Sequence, residues 1–152
     1  MTVEPITHEV RVATDAAAAF SVYTGQIGEW WDRRLTANPH TLQTVTIETR
    51  VGGRVYATHS DFGDHEWGVV TVCEPGHRLA HSFTLAQDPK HPTEVAVEFI
   101  ADAAGGCVVR FTHRGWTDGN AVDREKFTEW STLLDRFAAL AARNLSDFVN
   151  PS

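Results

Sequence analysis

The sequence predicts an α+β fold in which a curved antiparallel sheet of about seven strands grips one long C-terminal helix. Three observations carry that expectation. Strand signals dominate from Thr41 to Trp116, where β-branched and aromatic residues alternate with polar ones between tight turns. One alternating strand and two short helical stretches precede that region. Residues 118–149 then keep apolar side chains at helical spacing, and no other element is long enough to cover the inward face of the sheet. A curved sheet wrapped around a single amphipathic helix leaves space between them, so a cavity is expected.

The elements follow in order. ITHEVRVAT, residues 6–14, alternates as one strand. Thr14 or Asp15 suits the N-cap of a helix through DAAAAFSVYT, which Gly25 ends, and IGEWW reads as a second short helix. TLQTVTIETRV is a strand, with Gly52-Gly53 as a two-residue hairpin turn into RVYATHSD. After a turn at Gly63-Asp64, HEWGVVTVCE is a strand closed by Pro75-Gly76, and RLAHSFTLAQ is the next. PKHPTEVAVEFIAD supplies a turn and a strand, and Gly105-Gly106 leads into CVVRFTHRGW. Asp118 to Val149 reads as one helix with Phe127, Trp130, Leu133, Leu134, Phe137, Leu140 and Ala141 on its apolar stripe.

Composition narrows the function. At 152 residues the chain has the length of one domain, and 42% hydrophobic with 22% charged residues is a globular balance. A net charge of −7 removes the basic footprint of a nucleic-acid binder. No apolar run reaches the length of a membrane span, and MTVEPITHEV lacks a basic-then-apolar leader, so no membrane insertion and a cytoplasmic setting are expected.

Strand alternation assigns faces. Cys107, Val109, Phe111 and His113 share one side of the last strand, and Arg110 and Arg114 mark the other side as wet. Val55, Ala57 and His59 share a face, as do Leu79, His81 and Phe83. Three strands thus each turn a histidine inward, and polar groups among apolar ones are the make-up of a small-molecule site. Each histidine could equally be satisfied by a backbone carbonyl. In HEWGVVTVC the faces stay open, because Trp67, Val69, Thr71 and Cys73 compete with Gly68, Val70 and Val72. No short paired ligand spacing points to zinc, so neither a metal nor a cofactor is expected. No nucleophile elbow or phosphate loop is present, and no residue is assigned a catalytic role. Asp61 and Glu66 lie near His59 and His65 on a hairpin at the rim, while Asp123, Glu125, Glu129 and Asp135 read as the solvated face of the long helix.

"DAAAAFSVYTGQIGEWW", "TIETRVGGRVY", "WGVVTVCEPGHRLAHSF", "PTEVAVEF", "FTHRGW" and "FTEWSTLLDRF" together resemble the START-like (SRPBCC) superfamily, which shares the birch-pollen allergen fold. Within it the chain is similar to the branch of the C-terminal domain of the activator of heat-shock protein 90 ATPase. The resemblance implies the helix-grip fold. It spans ligand carriers, lipid-transfer domains, polyketide cyclases and stress proteins, so it does not fix a function. In the eukaryotic co-chaperone of that branch, ATPase stimulation depends strongly on a separate N-terminal domain. This chain begins at the family's first strand, so that activity is not implied. In the strand order the resemblance implies, Cys73 and Cys107 lie three strands apart, roughly 14 Å, too far for a disulfide.

The expected cavity lies between sheet and C-terminal helix and is lined by Trp30, His59, His81, Phe83, Phe111, His113, Trp130 and Leu134. Adjacent helical positions point about 100° apart, so Trp30 is assigned to the cavity and Trp31 to the surface. The expected function is binding of a small, largely apolar or amphipathic molecule. A cyclase- or hydrolase-type enzyme in the same cavity and a chaperone-linked or other interaction module are the alternatives, and a homodimer stays open.

Overall fold

The computed structural model of the chain describes residues 3–87 and 89–149. Strand β1 (Ile6–Val12) leads into helix α1 (Ala16–Gly25), the single-turn α2 (Ile27–Trp30) and a 3-10 turn (Arg33–Leu35). Strands β2 (Leu42–Ile47), β3 (Arg54–His59), β4 (Gly63–Glu74), β5 (Arg78–Phe83), β6 (Thr93–Ala101) and β7 (Cys107–Arg114) follow, then α3 (Ala121–Arg124) and α4 (Trp130–Val149). The strands form one curved antiparallel sheet in the order β1-β7-β6-β5-β4-β3-β2, with α4 across its inner face: the helix-grip fold. Among the described residues no helix is long and apolar enough to cross a membrane.

Local chemistry accounts for the framework. Asp15 caps α1, its carboxylate accepting from the Ala18 amide at 2.8 Å. In β7 alternate residues from Cys107 to His113 are buried and their neighbours are not, as the period of two requires. Trp130, Leu133, Leu134, Phe137 and Ala141 of α4 are buried against that face. Arg136 on α4 donates to the Trp30 carbonyl at 2.7 Å, which ties the end of α2 to the long helix. Cys73 and Cys107 are free thiols on strands three steps apart.

Three elements differ from the sequence expectation. The last helix does not start at Asp118. The Asn120 side chain accepts from the Thr117 amide (2.6 Å) and donates to the Gly115 carbonyl (3.2 Å), which binds the chain into a turn. Helix α3 then lasts one turn, and Phe127 folds against His113 and Trp116 with ring centroids 4.8 and 5.5 Å away. Asp123, Glu125 and Glu129 accordingly precede α4, and only Asp135 belongs to its exposed face.

Gly52-Gly53 is not a two-residue turn. The Glu48 amide donates to the Arg54 carbonyl at 2.9 Å, so residues 49–53 form a longer loop. The glycines are still structural: Gly52 has φ +85°, and a Cβ on Gly53 would lie 2.5 Å from the Glu48 carbonyl oxygen.

In β4 both candidate faces are partly right, because a β-bulge changes the alternation. Val55 pairs with Gly68 but Tyr56 pairs with Glu66, leaving Trp67 as the extra residue. Trp67 and Val70 both turn inward, while Val69 is exposed. Gly68 permits this, since a Cβ there would sit 1.7 Å from the Ser82 carbonyl oxygen.

Candidate functional site

A cavity of about 410 Å³ opens between the sheet and the start of α4. One wall comes from the end of α2 and the turn after it: Trp31, Leu35, Thr36 and Ala37, with Arg34 at the lip. The sheet contributes His65, Phe83, Leu85 and Ala86. Phe127, Trp130 and Leu133 close the helix side, with Lys126 and Glu129 at its edge. Four aromatic rings thus face a half-open apolar space whose charged groups stand at the mouth, the usual make-up of a small-molecule pocket. A wider depression of about 780 Å³ beside β2 has no aromatic wall.

The two basic groups at the mouth are paired. The Arg34 guanidinium holds the Asp32 carboxylate at 2.6 Å, and its hydrogen bonds keep the Asp32 pKa down at about 2. Lys126 pairs with Asp123 at 2.9 Å and donates to the Ala86 carbonyl. Ala86 has φ +59°, a left-handed conformation uncommon for a side-chain-bearing residue.

Of the residues assigned to the cavity from sequence, Phe83 and Trp130 line it. Trp30, Phe111, His113 and Leu134 are buried in the packed core beneath. The tryptophan pair is reversed: Trp31 lines the cavity, whereas Trp30 packs on Tyr23 (5.0 Å) and donates to the Tyr23 carbonyl. The cause is local. Helix α2 ends at Trp30, and Trp31 has extended backbone angles (φ −68°, ψ 140°), so helical spacing no longer governs it. Its indole is held by the Leu35 carbonyl at 3.1 Å.

The inward histidines have separate environments. His113 accepts from the Trp130 indole at Nδ1 (3.1 Å), so its Nε2–H donates to the Thr93 hydroxyl (2.6 Å). Thr93 in turn lies within hydrogen-bond distance of the Phe83 carbonyl and the Gln87 amide oxygen. Burial pushes the His113 pKa down to about 3. His81 donates from Nδ1 to the Ser82 carbonyl at 2.8 Å, and burial holds it at about 4. His59 is bonded through Nδ1 to the Thr41 hydroxyl (3.1 Å) and stacks under Phe62 at 4.3 Å. His65, which the sequence places on a hairpin at the rim, reaches the cavity wall, and burial lowers its pKa. No group of three or more metal-ligating side chains occurs among the described residues.

This fold and cavity have known relatives. The model of the family described as Activator of Hsp90 ATPase homolog 1-like protein matches residues 13–142, and the chain belongs to that family. A search of curated proteins found no match. Among solved structures, the Aha1 dimer from Colwellia psychrerythraea is similar at 16% identity and TM-score 0.68, covering 92% of this chain and 97% of that one. The self-sacrificing resistance protein CalC from Micromonospora echinospora is similar at 20% identity and TM-score 0.67, covering 92% and 95%. An anthrahydroquino-gamma-pyrone synthase is similar at 25% identity and TM-score 0.62, covering 91% and 97%.

Proposed function

We propose that this chain binds a small, largely apolar ligand in the cavity between the sheet and the start of α4. The observation that carries the reading is the ring of Trp31, Phe83, Phe127 and Trp130 around about 410 Å³ of space, with ionic groups only at the mouth. An apolar molecule of drug size fits such a volume and gains by leaving water. Native mass spectrometry of protein purified from its own host tests it: a mass increment that is lost on denaturation is expected. The similar Colwellia protein is a dimer, which supports a homodimer here as well, and the same spectra would register it.

The second reading is an enzyme of the cyclase or hydrolase kind working on a ligand in this cavity. It is favoured by the similarity to a synthase and by His65, a basic group at the wall. Conversion of a bound molecule, followed by mass, separates an enzyme from a carrier.

A further inference from the structure

Among the described residues, the buried side-chain nitrogens without a hydrogen-bond partner are His59 Nε2, His65 Nδ1 and Trp67 Nε1. All three belong to one hairpin, β3–β4. His65 lies opposite Ala57 and His59 opposite Gly63, so the two imidazoles share the inner face two rungs apart along the ladder. Trp67 follows on the same face of β4 and packs on Trp31 at 4.8 Å and Phe83 at 6.1 Å. Those two rings are themselves cavity wall whereas Trp67 is not, so the indole packs behind the lining that Trp31 and Phe83 form.

Buried polar groups are rarely left unpaired, because each forfeits the hydrogen bonds it made in water. Three lie on one hairpin and one of them, His65, lines the apolar cavity, which marks a place where a ligand's polar atom is wanted. Their chemistry sets its type. The Trp67 indole offers a donor only, and a neutral imidazole offers one donor and one acceptor. No cation is bonded to them, and the basic groups at the mouth are already paired with Asp32 and Asp123. A carboxylate buried here would meet neutral donors and no fixed cation, which offset its desolvation only in part. An uncharged oxygen would be satisfied, and the aromatic walls suit a flat ring system.

Resting on the cavity reading above, we propose that His59, His65 and Trp67 form the hydrogen-bonding end of the site. It is reached when the Trp31 ring shifts, and it takes the hydroxyl or carbonyl oxygen of an uncharged aromatic ligand. Trp31 is then a gate between the apolar chamber and this polar end.

Three probes of one shape test this by calorimetry: 2-methylnaphthalene, 2-naphthol and 2-naphthoate. Wild-type protein should bind 2-naphthol about tenfold more tightly than 2-methylnaphthalene, the scale of one buried hydrogen bond, and 2-naphthoate most weakly. Trp67→Phe keeps the ring but removes the donor, and His65→Leu removes the imidazole. Each should pull the ratio of 2-naphthol to 2-methylnaphthalene affinity from about tenfold towards one, whatever it does to the affinity for either probe alone. Equal binding of 2-naphthol and 2-methylnaphthalene, or a preference that survives both substitutions, overturns the polar end while leaving the cavity intact. Binding of none of the three overturns the cavity reading as well.

Discussion

Trp130 donates from its indole to His113 Nδ1 across 3.1 Å, so the first residue of α4 is latched to β7 by a hydrogen bond whose two ends are both buried. The bond also sets the His113 tautomer, and through Thr93 it reaches the loop that carries the cavity residues Leu85 and Ala86. Replacing Trp130 with Phe keeps a ring but strands a buried acceptor. Stability should fall by about 1–3 kcal/mol. Trp130→Ala also loses ring contacts with Phe111, Trp31 and Phe83, and should cost about 3–5 kcal/mol. Urea unfolding of both variants checks this; wild-type stability in Trp130→Phe would mean that the latch contributes nothing.

Acid should destabilise the fold through the buried histidines. His81 and His113 are held down to about 4 and about 3, chiefly by burial. An unfolded histidine titrates near 6.5, so below about that pH the unfolded chain takes up protons that the folded chain refuses. Stability is then complete above about pH 6.5 and falls as the pH drops towards 4, by several kcal/mol for the pair at about 1.4 kcal/mol per unit and group. Urea midpoints measured from pH 8 to pH 4.5 should be level at first and then decline. A level profile throughout would contradict the assignment of both rings as buried and neutral.

The glycines of the fold should behave oppositely at two positions. Gly68→Ala forces a Cβ to within 1.7 Å of the Ser82 carbonyl oxygen and should break the β4–β5 pairing, giving insoluble or strongly destabilised protein. Gly25 has nothing within 4 Å of such a Cβ and no positive φ. Gly25→Ala should therefore leave stability unchanged or raise it by up to about 1 kcal/mol. Thermal unfolding of the two variants decides the matter.

Thiol reactivity should rank the two cysteines. Cys107 is fully buried and burial raises its pKa, whereas Cys73 is partly exposed. Under native conditions a thiol reagent should label Cys73 first, and Cys107 should react only on unfolding. Equal rates would mean that the β1–β7 edge opens readily.

What the sequence made legible is what periodicity governs. The inward set of β7, a cap at Thr14 or Asp15 and the apolar stripe from Trp130 to Ala141 each depend on residues close in sequence. The face of β4 was not legible, because its bulge exists only when Val55 and Tyr56 choose their partners across the ladder. Trp31 was misassigned because α2 stops one residue before it, and the break before α4 falls at residues 125–129, where Phe127 folds against the distant His113 and Trp116. The rest of the cavity eluded the sequence for a similar reason. Leu35, Ala37, Leu85 and Ala86 sit in turns and connections, where no repeat marks a buried face.

The central claim is that an apolar molecule occupies the space beside Trp31 and Trp130. Intermolecular nuclear Overhauser effects between 2-methylnaphthalene and the leucine methyl groups test it most directly. The account predicts contacts to Leu35, Leu85 and Leu133, which surround the cavity. Contacts confined to Leu140, beside the open depression next to β2, or no contacts at all, would contradict it.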